Sequence, residues 1–355
     1  MTKILKSCLF SLSLALSSLA MSADSAVFLQ YHHVSNTTPA VTSVTPERFS
    51  EHLNYLDDNG FTVKPLTKVI NAIQQGENLP EKTVVITFDD AYRNIYTNAF
   101  PLLKEKGWPF TIFVSPGPVD KGFGSFLSWD QMREMSRHGA TLANHSLNHD
   151  HLVERLAGES EELWLERVRK DLAQTESRIK EMTGQSVMML AWPFGETTPE
   201  LRQLIDDTGY VGFGQQSGAV GPLSDFTRLP RYPMAGNFST MAQFRTKVNT
   251  KPLPLKQQHP DSALIDEDNL KPGLELTLAS EGFQKNQLRC YASGQGEIAV
   301  EWLDEDKTRF ITSVSNPLPV GRSRYNCTAP SIDGRTYYWY SHQWLRLTED
   351  GKAID

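Results

Sequence analysis

The chain has 355 residues, 39% hydrophobic and 22% charged, with a formal net charge of -7. That apolar content supports one large core or two smaller ones and is too high for a disordered chain. Three cysteines exclude a disulfide-dense mini-scaffold, and the lack of a Lys/Arg-rich block argues against nucleic acid as a partner.

The amino terminus reads as an export signal. Lys3 and Lys6 precede an apolar stretch from Leu9 to Leu19, and small residues follow at Ala20, Ser22, Ala23 and Ala26. This is the layout of a secretory signal peptide over residues 1–23. The stretch is shorter than the roughly 18 to 20 apolar residues that spanning requires, so a periplasmic or secreted protein with no membrane span is expected. Cleavage removes Cys8 and leaves Cys290 and Cys327. An even pair in an exported chain reads as one disulfide, with two buried thiols as the competing reading.

Residues 27–250 alternate short apolar runs with helical periodicity. The runs Val27 to Leu29, Val84 to Phe88, Phe110 to Val114, Ala140 to Ala143, Val187 to Ala191 and Tyr210 to Phe213 are expected as buried strands. Helices are expected after Thr45-Pro46 and Thr67, and over Asn94 to Lys106, Trp129 to His138, Glu159 to Met182 and Pro199 to Thr208, with glycines as stops. Repeated strand-helix units imply an α/β domain with a parallel sheet, open or closed as a barrel. Residues 251–263, with Pro252, Pro254 and Pro260, read as a linker. Residues 264–355 change to period-two alternation at Leu274 to Leu278, Glu297 to Trp302 and Trp339 to Leu347, the pattern of a small all-β, sandwich-like domain.

Four segments that carry chemistry each follow a strand. Asp89 and Asp90 follow Phe88, His145 and His149 follow Ala143, Pro193-Phe194-Gly195 follows Ala191, and Tyr31-His32 follows Leu29. In a parallel α/β architecture all strand carboxyl ends open on one face, so the four meet at one mouth. Two imidazoles four residues apart and one carboxylate form a three-ligand set suited to Zn²⁺ with a position left open. A metal in such a site lowers the pKa of a water and polarises a carbonyl. Adjacent carboxylates diverge, so one binds the metal while the other takes a proton. Taken singly, the acids also fit strand-end caps and the histidines a chance helical pair.

Ile86-Thr87-Phe88-Asp89-Asp90, His145-Ser146-Leu147-Asn148-His149 and Ala191-Trp192-Pro193-Phe194-Gly195 resemble the successive motifs of the polysaccharide deacetylases, carbohydrate esterase family 4 with its nodulation-deacetylase homology domain. Tyr31-His32-His33-Val34 and Ser128-Trp129-Asp130 resemble the bacterial poly-N-acetylglucosamine deacetylase branch. The resemblance covers roughly residues 27–240. It implies a distorted (β/α) barrel, a divalent metal and an N-acetylated polysaccharide substrate. It also implies that Asp90, His145 and His149 bind the metal, Asp89 is the base, His32 the general acid and the Phe194 N–H a donor to the oxyanion. A strand-end structural role for His32 remains the alternative.

The sequence departs from the family pattern twice. Ala91 stands where the family usually has Gly, and no arginine occupies the third-motif position that commonly steadies the catalytic aspartate. Arg93 and Arg231 are candidates for that task, with surface or packing roles equally open. His151 reads as a solvated loop histidine. Tyr337 to Tyr340 with Trp344 fit a sugar-stacking platform or, preferably, the inward aromatics of the sandwich. Two other readings are a deacetylase or amidohydrolase acting on a different glycan or linear amide, and a catalytically silent glycan-binding protein. The intact acid and imidazole set argues against the latter.

Overall fold

The computed structural model describes residues 22–279 and 281–354, so the expected signal peptide lies outside the described residues except for its last two positions. The amino-terminal domain's sheet contains β1 (Ala26–Tyr31), β2 (Thr62–Val63), β3 (Thr83–Phe88), β4 (Phe110–Val114), β5 (Ala140–Asn144), β6 (Met189–Ala191), β7 (Val211–Phe213), β8 (Ala219–Val220) and β9 (Tyr232–Pro233). Its order is β7-β6-β5-β4-β3-β1-β8, with β9 also pairing β1 and β2 pairing β3. All pairs are parallel except β8 with β1. This curled, parallel-rich sheet with helices outside it is a distorted (β/α) barrel. The central strands are apolar on both sides because both are covered. Val27, Leu29, Val84 and Ile86 join a cluster containing Phe49 and Met132, whereas Phe28, Val85 and Phe113 join one containing Leu66 and Ile70.

The helices follow their caps. Thr45, Ser128, Ser160, Thr198 and Thr240 accept from the first turns of α1 (Pro46–Asp58), α5 (Trp129–Ser136), α6 (Glu161–Thr183), α7 (Pro199–Asp207) and α8 (Met241–Val248). Three more helices are α2 (Leu66–Gln74), α3 (Phe100–Lys106) and α4 (Pro116–Asp120). The helix expected over residues 94–106 is regular only from Phe100, since residues 95–99 form a wider π-type turn. Pro101 lacks the N–H that would continue the ladder.

The second domain pairs two antiparallel sheets. One has the order β10 (Leu255–His259), β11 (Leu274–Leu278), β15 (Arg309–Thr312), β14 (Val300–Trp302). The other has β17 (Tyr337–Arg346), β16 (Gly321–Pro330), β12 (Arg289–Ala292), β13 (Gly296–Ile298), with Lys251–Pro252 on its outer edge. Leu274, Leu276, Phe310, Tyr325, Cys327 and Trp344 form the core. Cys290 and Cys327 face each other across β12 and β16 and are joined by a disulfide.

Two expectations differ here. The segment 251–263, read as a linker, contributes β10 as an edge strand, a position that tolerates prolines nearby. Glu297 to Trp302, read as one strand, divides at Ala299 so that its halves lie in different sheets. Such a switch closes the corner of a sandwich.

Candidate active site

The carboxyl ends of β1, β3, β5 and β6 bring their following residues to one mouth. Asp90 Oδ1 lies 3.2 Å from His145 Nε2 and 3.3 Å from His149 Nε2, and the three donor atoms lie within 4.8 Å of one another. The orientation of His145 tests whether a cation fits. Its Nδ1 is 2.7 Å from the Ala191 carbonyl oxygen, which only accepts, so Nδ1 carries the proton. The Nε2 lone pair then faces a carboxylate, and this buried nitrogen has no hydrogen-bond partner. Two acceptors at that distance call for a positive charge between them, so the donor set fits a divalent metal. Burial and the neighbouring His145 push the His149 imidazole down to about 4, leaving it neutral as a ligand should be.

The loops that present these groups turn through left-handed backbone. Asp90 (φ 67°), Ala91 (φ 56°), Ser146 (φ 60°), His149 (φ 63°) and Phe194 (φ 59°) all lie there. For a residue bearing Cβ this costs about 1 kcal/mol or more. It explains why glycine suits position 91, and why Ala91, buried and accepting the Leu127 N–H at its carbonyl, is tolerated. The histidine loop is held from outside: the Leu147 N–H donates to Asp171 (3.0 Å) and the Gly117 N–H to the Leu147 carbonyl (2.8 Å). A Cβ at Gly117 would sit 2.8 Å from the Leu147 carbonyl oxygen and against the Asn148 side chain, so glycine suits this close approach.

Asp89 is fully buried, and Arg231, equally buried, grips both of its oxygens at 2.7 and 2.8 Å. Gln30 Nε2 donates to Oδ2 at 2.7 Å. Burial alone would raise this carboxyl, but Arg231, His145 and His32 outweigh it and hold it at about 2. His32 Nε2 lies 3.9 Å from Asp89 Oδ2 and is partly exposed. Between the two arginines left open by the sequence, Arg231 takes the aspartate, while Arg93 is exposed on the surface.

The third-motif loop is held from the second domain. The Phe194 ring stacks on His151 (3.8 Å, 10°) and lies 5.2 Å from the Arg322 guanidinium of β16. Glu196, almost fully buried, accepts from His151 Nδ1 (2.7 Å) and pairs with Arg322 (3.3 Å). Gln343 of β17 donates to the Gly195 carbonyl at 3.0 Å. His151 is thus not the solvated loop residue expected from the sequence, because Phe194 and Glu196 arrive beside it from another strand. Gln30, Glu196, Arg322 and Gln343 carry no motif signal. The aromatic stretch divides by register: Trp344 enters the sandwich core, Tyr338 and Tyr340 pack on it, and Trp339 turns the other way, edge-on to Tyr232.

A charge-locked aspartate beside a three-donor set that could hold a metal ion lies at the mouth of the distorted (β/α) barrel. Residues 76–213 match the family model for polysaccharide deacetylase. It is 25% identical over 283 residues to the poly-beta-1,6-N-acetyl-D-glucosamine N-deacetylase of Escherichia coli (strain K12), a match covering 69% of this chain and 42% of that protein, under two thirds of its length. The fold resembles the Streptococcus pyogenes deacetylase PplD in complex with acetate (TM-score 0.57, 22% identity, 63% of this chain and 98% of that one). It also resembles IcaB from Ammonifex degensii (TM-score 0.55, 24% identity, 64% and 97%).

Proposed function

We propose that this protein is an exported, zinc-dependent hydrolase that removes N-acetyl groups from an N-acetylglucosamine polysaccharide. The observation that carries this reading is an ionised, buried Asp89 next to the cation set Asp90, His145 and His149. Two imidazoles and one carboxylate suit zinc with an open position. When bound there, the metal would polarise the acetamide carbonyl and make a water acidic.

The chain's own groups supply the remaining steps. Asp89, kept ionised by Arg231, accepts the proton of the attacking water. The Phe194 N–H donates to the carbonyl oxygen as it gains charge. His32, on the open side of Asp89, gives a proton to the departing amine, so that acetate and a free amino sugar result. The amino-terminal segment supports export, and among the described residues no helix is long and apolar enough to cross a membrane.

The test is acetate release by the zinc-loaded protein from β-1,6-linked N-acetylglucosamine oligomers, with Asp89→Asn alongside. Release should fall at least about a hundredfold in the variant. No release by wild type from any amino-sugar polymer, or equal release by the variant, overturns the reading.

A further inference from the structure

Between the barrel rim and the outward face of the five-stranded sheet lies a cleft of about 400 Å³. None of the residues assigned to the reaction lines it. Alternation along the strands builds one wall: Tyr291 stands opposite Asn326 and Thr328 opposite Trp339, while Cys290, Cys327 and Ala329 turn into the sandwich core. The other wall holds Pro233, paired in register with the Gln30 that grips Asp89, and Phe238. Lys247 fixes that wall by donating to both carbonyls, at 3.3 and 2.8 Å.

The cleft is tied to the third-motif loop through β16 and β17. Arg324 lies in it, and its cross-strand neighbour Gln343 holds the Gly195 carbonyl. Arg322, over Phe194, is the next residue on the same strand face, roughly 7 Å away.

Two independent features point to a ligand. Phe238, Tyr291 and Tyr337 are exposed at 59%, 40% and 45%, unusual for rings of their size, and all three converge here. Arg324 Nε is buried with no hydrogen-bond partner. Burial and Arg322 both lower this guanidinium, to about 10. Aromatic faces take the apolar face of a sugar ring, and a group that only donates takes a carbonyl oxygen.

We propose that the cleft is a saccharide subsite for N-acetylated hexosamine units beyond the one being hydrolysed, with Tyr291 and Phe238 stacking on the sugar and Arg324 donating to its acetamide oxygen. This rests on the deacetylase reading above. Arg324 and Lys247 also set the preference, since a deacetylated unit brings an ammonium against two cations whereas an acetylated unit is neutral.

The experiment compares the β-1,6-linked N-acetylglucosamine dimer and hexamer on zinc-loaded wild type, Tyr291→Ala and Arg324→Gln. Each substitution should lower kcat/KM about tenfold for the hexamer and leave the dimer within about twofold. Equal losses at both lengths, or none with the hexamer, overturn the subsite. Calorimetric titration of the same variants with the hexamer separates the two readings. If wild type binds but releases no acetate, the deacetylase reading fails, and a tenfold weaker Kd in Tyr291→Ala and Arg324→Gln still supports the cleft while unchanged Kd values overturn it. A fully deacetylated hexamer should bind wild type about tenfold more weakly than the acetylated one, and equal affinity refutes the charge preference.

Discussion

Replacing Arg231 by Met measures how firmly Asp89 is held. Both partners of the Arg231–Asp89 pair are fully buried, and the same guanidinium donates to the Gly214 carbonyl and to Thr87 Oγ1. Removing one member of a buried ion pair leaves the other charge uncompensated, a loss of about 3 to 5 kcal/mol. Asp89→Asn in the same chain removes that stranded charge while retaining an acceptor for Gln30 Nε2. The double variant should therefore recover at least about 2 kcal/mol relative to the sum of the two single effects. The assay is urea denaturation at neutral pH of the four members of the cycle, following the catalytic-domain transition. Additive losses would refute the argument, because they would mean that the aspartate is stable without its arginine.

Three further outcomes follow from the geometry. Asp171, raised to about 6 mainly by burial, holds the Leu147 N–H; a carboxyl raised above its unfolded 3.8 stabilises most at low pH and loses that contribution as pH rises through 6. Asp171→Asn, which keeps the acceptor, should raise stability by about 1 to 2 kcal/mol at pH 8 and by nothing at pH 4, and equal effects at both would contradict it. Arg322→Ala strands Glu196 with His151 alone, so kcat for acetate release should drop about tenfold at unchanged zinc content, with Arg322→Lys partly restoring it. His145→Ala should reduce bound zinc at least about tenfold by elemental analysis while the far-ultraviolet dichroism stays the same; full retention of zinc would remove His145 from the ligand set.

The strands that carry the site were legible because both faces of β1, β3 and β4 are buried and read as uninterrupted apolar runs. The position of Asp89 and Asp90 at a strand end followed from Val84 to Phe88 alone. Arg231 was harder to single out, since it precedes a two-residue strand, β9, too short to show periodicity, and lies 142 positions from the aspartate it grips. His151 misled for a related reason. Its local sequence is that of a loop, and what orders it are Phe194 and Glu196, 43 or more residues away in the chain and brought near only by sheet closure. The prolines of residues 251–263 suggested a linker, but proline is equally compatible with a sheet edge.

The same alternation that hid the second domain's contacts explains how the two domains pack together. Along β16, Tyr325, Cys327 and Ala329 fill the sandwich while Arg322, Arg324 and Thr328 face outward, a pattern that from sequence is indistinguishable from a solvated face. In the folded chain that outward face meets the barrel: Leu345 joins Trp164, Leu190, Trp192 and Leu201 in one buried cluster, and Arg202 and Arg228 both reach Asp261. Cutting the chain before residue 251 would expose part of that cluster, unpair Glu196 from Arg322 and free the Gly195 carbonyl. Each change falls on the loop that carries Phe194. Weak activity in such a fragment would therefore report loss of this support rather than a defect in Asp89 or the cation set, and the intact chain is the proper object for every measurement on the site.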